Sequence, residues 1–156
     1  PVSVASTIVI ESHKAGYDPF LVAAIIKSES AFRHTARSHV GAVGLMQILP
    51  STGRYITRKH EIAWRGYRAL LNPSYNIKLG IAYLKYLENK FNGDLEKVLI
   101  AYNWGPANLE QALSGKKRIP GGPKRYAKGI LANYSTWSAS FEELARHYSY
   151  LKLTNL

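Results

Sequence analysis

Apolar positions recur at helical spacing along most of the chain, and residues that cap or break helices separate one repeat from the next. The longest stripe follows Asn72-Pro73, ends at Asn92-Gly93 and predicts one long helix with these apolar positions: Ile77, Gly80, Ile81, Leu84, Leu87 and Phe91. No segment alternates apolar and polar residues as a half-buried strand would. The pattern therefore predicts an all-α fold.

Caps and breakers divide the rest of the chain into shorter helices. A first helix over residues 3–15 ends at Gly16, and Asp18 caps a second one that has Pro19 in its first turn. Further helices are expected from Pro50, over 60–70, from Asp94 to Tyr102, from Pro106 to Gly115, after the turn at 120–123 to Trp137, and from a capping box at Ser140–Glu143. Residues 33–44 lack a helical period and predict an irregular connection.

Glu29 is an acid in an unusual place, because it falls in the last turn of the apolar helix that Asp18 caps. The negative end of the helix dipole disfavours a carboxylate there and raises its pKa. Burial against Phe32, Leu45 and Met46 would raise the pKa further. We therefore expect an acid that can donate a proton near neutral pH.

Composition indicates one globular domain over residues 1–156, with 46% hydrophobic and 20% charged residues and no low-complexity linker. No apolar run is long enough for a transmembrane helix, so no transmembrane span is expected. The chain begins with Pro1, which suggests a processed product and leaves room for a removed export signal. The absence of cysteine excludes disulfides, thiolate metal sites and a cysteine nucleophile.

The formal net charge of +11 favours anionic partners in general. Nucleic acid, anionic lipid and the negatively charged polymers of a bacterial envelope would all be attracted. The basic residues are spread along the chain and form tight groups only at Lys116–Arg118 and Lys124-Arg125. Because no nucleic-acid-binding motif is present, we expect non-specific attraction and no specific nucleic acid partner.

The residue spacing in this sequence does not match the motifs of several familiar reaction centres. His60-Glu61 begins like a zinc-protease helix, but Trp64 stands where the second histidine ligand would be. No phosphate-binding glycine loop is present, and Asn92-Gly93-Asp94 offers too few oxygen ligands for a calcium loop. No metal and no cofactor are therefore expected. A Ser-His-Asp triad stays open, although no Gly-x-Ser-x-Gly pattern occurs.

Three motifs remain: Glu29-Ser30, the block Gly41–Gln47 preceded by Ser38, and Ala101–Gly105. Together they resemble the soluble, goose-lysozyme-like lytic transglycosylases, which cleave bacterial peptidoglycan, and the resemblance runs from about Ala15 to Tyr134. It implies a lysozyme-like helical fold with a substrate groove. It also implies Glu29 as the catalytic acid and base, and glycan strands of alternating N-acetylglucosamine and N-acetylmuramic acid as the ligand.

The resemblance assigns roles to other residues as well. It implies that Ser38 contacts an acetamido group, that Gly44 allows close backbone approach, and that Met46 and Gln47 line the groove. Tyr102 and Asn103 resemble the family's substrate-binding pair, and Tyr126 resembles the tyrosine whose hydroxyl approaches the acid. Trp104 departs from the small residue that usually follows the asparagine, so it either stacks on a sugar or fills space.

A single acid in the motif set bears on the mechanism, because glycosidases normally use two carboxyl groups. In the family, the substrate's acetamido group and 6-hydroxyl replace the second carboxyl and give a 1,6-anhydro product without water. We expect this reaction, by a monomer exported to the periplasm or cell envelope. A hydrolytic goose-type lysozyme, an inactive peptidoglycan-binding module and a basic nucleic-acid binder are the alternatives.

Overall fold

The computed structural model describes the backbone of residues 3–154 and the side chains of residues 3–147 and 149. This part of the chain is all-α, as the sequence predicts, and its β structure is limited to isolated bridges that join Val43 to Arg37 and to Ile48. The helices are α1 (Val4–Ala15), α2 (Pro19–Ser30), α3 (Pro50–Lys59), a 3-10 helix (Tyr67–Leu71), α4 (Pro73–Lys90), α5 (Leu95–Trp104), α6 (Pro106–Leu113) and α7 (Gly121–Thr154).

Helix starts follow the predicted capping chemistry. Four side chains accept a hydrogen bond from a free N–H group in the first turn of their helix, namely those of Ser3, Asp18, Asn72 and Asp94. Four helices also begin with a proline, which has no N–H to leave unpaired: Pro19, Pro50, Pro73 and Pro106. Gly16 ends α1 in the left-handed conformation, as predicted.

Helix α4 packs against α1, α3 and α5, while α7 packs against α2 and α5. Every position of the apolar stripe predicted for α4 is buried. In α1 the buried face includes Ile8 and Ser12, whereas Val9 is 53% exposed. None of the helices in residues 3–154 combines the length and the apolar character needed to cross a bilayer.

The helix predicted over residues 60–70 is wrong. Residues 62–66 form no regular secondary structure, and only the short 3-10 helix Tyr67–Leu71 follows. The hydroxyl of Tyr75 in α4 explains the non-helical segment, because it donates to the Ala63 carbonyl and accepts from the Arg65 N–H at 3.0 and 3.1 Å. A side chain distant in sequence thus satisfies backbone groups that a helix would have satisfied locally.

The break predicted before Ser140 is also wrong, because α7 continues from Gly121 through Thr154. The Ser140 hydroxyl donates to the Thr136 carbonyl one turn earlier instead of capping a new helix. Gly121 and Gly122, expected in a turn, form the first turn of α7. With no proline after Pro123 and no glycine after Gly129, nothing local interrupts the helix.

The packing of α4 predicts opposite effects for two glycine-to-alanine changes. A Cβ atom at Gly80 would overlap the Met46 sulfur and lie 2.7 Å from Met46 Cβ, and Met46 is fully buried. We expect Gly80→Ala to lower the free energy of unfolding by about 1 to 3 kcal/mol through overpacking. Gly129→Ala in α7 meets no atom within 4 Å and should raise it by up to about 1 kcal/mol. Urea unfolding measures both, and equal effects would contradict the packing.

Candidate active site

Glu29 lies at the end of α2 and lines a cleft with a volume of about 370 Å³. The wall opposite α2 comes from the connection between α2 and α3, the start of α3, α4 and the end of α5. Besides Glu29, the lining residues are Ser38, Val40, Ala42, Gln47, Ile48, Leu49, Thr52, Tyr83, Tyr102, Asn103, Trp104 and Gly105. Glu29 is the only carboxylic acid among them, and none of them is a lysine, arginine or histidine.

The Glu29 carboxyl accepts a hydrogen bond of 2.5 Å from the Tyr126 hydroxyl in α7. Burial raises the pKa of Glu29 from 4.5 to about 7, and the hydrogen bond from Tyr126 lowers it by a smaller amount. The prediction of a raised pKa is therefore confirmed. Of the three residues expected to bury it, Leu45 and Met46 are fully buried, whereas Phe32 is 44% exposed.

The loop after α2 is fastened to α4 by Asn76, a fully buried polar side chain. Its Oδ1 accepts from the Met46 N–H at 2.7 Å, and its Nδ2 donates to the carbonyls of Val43 and Leu70 at 2.8 Å each. Gly44 lies against this amide with a positive φ of 82°. A side chain at Gly44 would overlap Asn76 and the Leu70 carbonyl, so the close approach is between parts of the protein.

Met46 does not line the cleft as the resemblance implied, because its side chain is fully buried and packs on Gly80. Its carbonyl accepts a hydrogen bond of 2.9 Å from the Tyr102 hydroxyl. The methionine therefore supports the cleft from beneath and offers no face to a ligand. Gly44 is also absent from the lining, which corrects its expected place beside a ligand.

The neighbouring Gln47 does line the cleft. Its Nε2 donates to the carbonyls of Ala36 and Gly44 at 3.2 and 2.9 Å. Both amide hydrogens thus hold the loop, and Oε1 is the atom of the amide that a ligand could engage as an acceptor. Gln47 occupies a positive φ of 49°, which the two hydrogen bonds help to maintain.

Other residues singled out in the sequence also meet at this cleft. Ser38 lines it while its hydroxyl accepts from the Ala42 N–H at 3.0 Å. Tyr102 is 9% exposed and commits its hydroxyl to Met46, whereas Asn103 lines the cleft with an exposed side chain. The structure thus brings Glu29, Ser38, Gln47, Tyr102 and Asn103 together, and their roles toward a ligand stay predictions.

Trp104 also lines the cleft, with the Lys117 ammonium 4.9 Å from the centre of its ring. Among the contributors that were not predicted from the sequence are Tyr83 on the wall and Asn76 beneath the loop. Their signals are weak, because a tyrosine and an asparagine within an amphipathic helix are ordinary residues. No group of three side chains able to hold a metal ion occurs in the described residues.

The raised pKa of Glu29 predicts that the acid lowers stability once it is ionised. Its pKa in the folded state lies above the ordinary 4.5, so wild type should lose stability relative to Glu29→Gln as the pH rises from 4.5 to about 7. Between about pH 4 and about pH 8, the variant should gain roughly 3 kcal/mol over wild type in urea unfolding. The exposed Glu142→Gln serves as the control, and equal pH dependence of both variants would contradict the buried position.

Comparison with known proteins identifies the family. The sequence profile of the Transglycosylase SLT domain matches residues 6–121. Soluble lytic murein transglycosylase of Salmonella typhimurium is 35% identical over 121 residues, which cover 70% of this chain and 19% of that protein. Endo-type membrane-bound lytic murein transglycosylase A of Klebsiella pneumoniae is 49% identical over 78 residues, covering 47% of this chain and 37% of that protein.

A solved structure agrees with these sequence relatives. The crystal structure of an inactive Glu-to-Gln mutant of lytic transglycosylase Slt from Pseudomonas aeruginosa superimposes with a TM-score of 0.81 at 30% identity. The superposition covers 91% of this chain and 25% of the Pseudomonas chain. The chain thus spans about a quarter of that structure and a fifth of the Salmonella protein. This chain belongs to the transglycosylase SLT domain family.

Proposed function

We propose that the chain is a single catalytic domain of a peptidoglycan lytic transglycosylase, with Glu29 as its only acid and base. The bond cleaved is the β-1,4 bond between N-acetylmuramic acid and N-acetylglucosamine. The observation that carries the proposal is a cleft with one carboxyl group, whose pKa is about 7. A group with this pKa can both donate and accept a proton near neutral pH.

The reaction can proceed with one carboxyl because the substrate supplies the other groups. Glu29 protonates the glycosidic oxygen, which leaves as the hydroxyl of N-acetylglucosamine, and the acetamido oxygen of the muramyl residue stabilises the cation that develops. The Glu29 carboxylate then takes the proton from the muramyl 6-hydroxyl, whose oxygen bonds to the anomeric carbon. A 1,6-anhydro ring closes, Glu29 is protonated again, and no water is consumed.

Two further facts support the proposal. A hydrolase with two carboxyl groups would need a second acid about 5 to 9.5 Å from the first, and Glu29 is the only acid lining the cleft in the described part of the chain. In addition, the Pseudomonas relative is described as inactive after one glutamate-to-glutamine change.

The cleft residues Ser38, Gln47, Tyr102 and Asn103 are proposed to bind the glycan.

The names of the relatives, which are soluble and membrane-bound murein transglycosylases, support a place of action at the cell wall. We propose that the chain acts as a monomer on the cell wall, in the periplasm or cell envelope. Its net charge of +11 would concentrate it near anionic envelope polymers.

The products from purified sacculi test the proposed reaction. We expect wild type to release fragments with 1,6-anhydro-muramyl ends, identified by mass spectrometry. Glu29→Gln should lower the rate by at least about a hundredfold, because the amide neither donates nor accepts the proton. Fragments one water heavier would instead identify a hydrolytic lysozyme, and binding of sacculi without any product would identify an inactive binding module.

The hydrogen bond from Tyr126 predicts a shift in the pH profile. Because Glu29 must start protonated, kcat/KM of wild type should fall as the pH rises through about 7. Tyr126→Phe removes the hydrogen bond that lowers the pKa of Glu29, so the fall should move to higher pH. The variant should also lose rate, since the carboxyl is held less firmly.

Tyr17→Phe is the matched control for this profile, because the Tyr17 hydroxyl also donates to a carboxylate, that of Glu88, outside the cleft. Its pH profile should match that of wild type. An unchanged profile in Tyr126→Phe would show that the hydrogen bond does not set the pKa of the acid.

A further inference from the structure

A row of tyrosine rings leads out of the cleft along α3 and α4. Tyr102 and Tyr83 line the cleft with ring centres 5.2 Å apart. Tyr83 stacks on Tyr86 at 6.1 Å, and Tyr86 meets Tyr55 edge to face at 5.4 Å. We call Tyr55, Tyr83 and Tyr86 the tyrosine strip.

Helical spacing explains why the strip continues the cleft wall. Thr52 of α3 and Tyr83 of α4 line the cleft, and Tyr55 and Tyr86 lie three residues further along the same helices. Residues three apart share a face of a helix, one turn on. Two adjacent helices therefore each place a tyrosine one turn beyond the wall, and the contact between these rings makes the surface continuous.

The outer end of the strip is accessible and lies beside a lysine. Tyr55 is 49% exposed, and Tyr83 and Tyr86 are partly exposed. The ammonium of Lys59 lies 5.4 Å from the centre of the Tyr86 ring. The core does not require a half-exposed aromatic ring at Tyr55, since the neighbouring position Ile56 supplies the buried contact of α3.

We propose that the tyrosine strip is a second saccharide-binding surface, which holds sugar units of a glycan strand beyond those in the cleft. A tyrosine ring offers an apolar face to the C–H groups of a pyranose and a hydroxyl that exchanges hydrogen bonds with sugar hydroxyls. The inference rests on the proposed function, because it takes a glycan strand as the ligand in the cleft. It adds a dependence of binding on strand length.

Binding to glycan strands of different length tests the strip. The probe is peptidoglycan glycan freed of its peptides and sorted into short and long fractions, and the protein carries Glu29→Gln so that binding is measured without cleavage. The strip predicts tighter binding of the long fraction. Adding Tyr55→Ala should weaken binding of long strands by about tenfold and of short strands by less than about twofold, because only long strands reach that ring.

Tyr86→Leu is the second variant, because leucine keeps an apolar side chain between α3 and α4 while removing the ring. It should reproduce the selective loss on long strands. Tyr67→Ala is the matched control, since Tyr67 is also exposed, at 39%, but pairs with Arg37 and lies outside the cleft lining and the strip. Thermal unfolding of each variant verifies that it is folded.

The outcomes separate the strip from the proposed function. If wild type forms anhydro-muramyl products but the Glu29→Gln protein binds both fractions equally, the strip is refuted and the function stands. Equal losses in Tyr55→Ala and Tyr67→Ala would likewise refute the strip. If the Glu29→Gln protein binds neither fraction and wild type forms no product, both proposals fail together.

Discussion

Three hydrogen bonds made by one buried side chain hold the cleft together. The Asn76 amide bonds to the backbone at Met46, Val43 and Leu70 and so joins the loop before α3 to α4 and to the 3-10 helix. Each partner is a buried peptide group that would cost about 1 to 3 kcal/mol if left unpaired. The carbonyl of Met46 takes a further hydrogen bond from Tyr102 in α5. The backbone of Met46 is thus held by both α4 and α5. These bonds also fix the position of the adjacent Gln47.

The acid depends on a part of the chain that the family profile does not include. Glu29 belongs to α2, but its hydrogen-bond partner Tyr126 belongs to α7, beyond the matched residues 6–121. Helix α7 packs along both α2 and α5, so it adds to the burial of the carboxyl while it supplies the hydroxyl. Burial raises the pKa and the hydroxyl limits the rise. An acid that is desolvated and has a single hydrogen-bond donor keeps a pKa close to 7. Ionising it in the folded protein costs stability.

Structural features that depend on neighbouring residues could be predicted from the sequence. Features that depend on contacts between residues far apart in the chain could not. Caps and prolines located most helix starts, because the first turn of a helix is satisfied locally. The motifs around Glu29, Gln47 and Asn103 located the cleft, although only its geometry shows which side chains face it. Met46 was misplaced because its burial requires the empty space at Gly80, 34 positions later in the chain. The non-helical segment before the 3-10 helix depends in the same way on the hydroxyl of Tyr75.

The distribution of charge explains how a strongly basic protein can hold an acid whose pKa is raised to about 7. A cation within about 4 to 6 Å of Glu29 would favour the carboxylate and lower its pKa. The described part of the chain places no lysine, arginine or histidine on the cleft wall, despite a net charge of +11 for the whole chain. Even Lys117, near the rim, lies over the ring of Trp104 and is not part of the lining. The positive charge can therefore act at long range on anionic polymers, while burial and one tyrosine hydroxyl set the proton affinity of the acid.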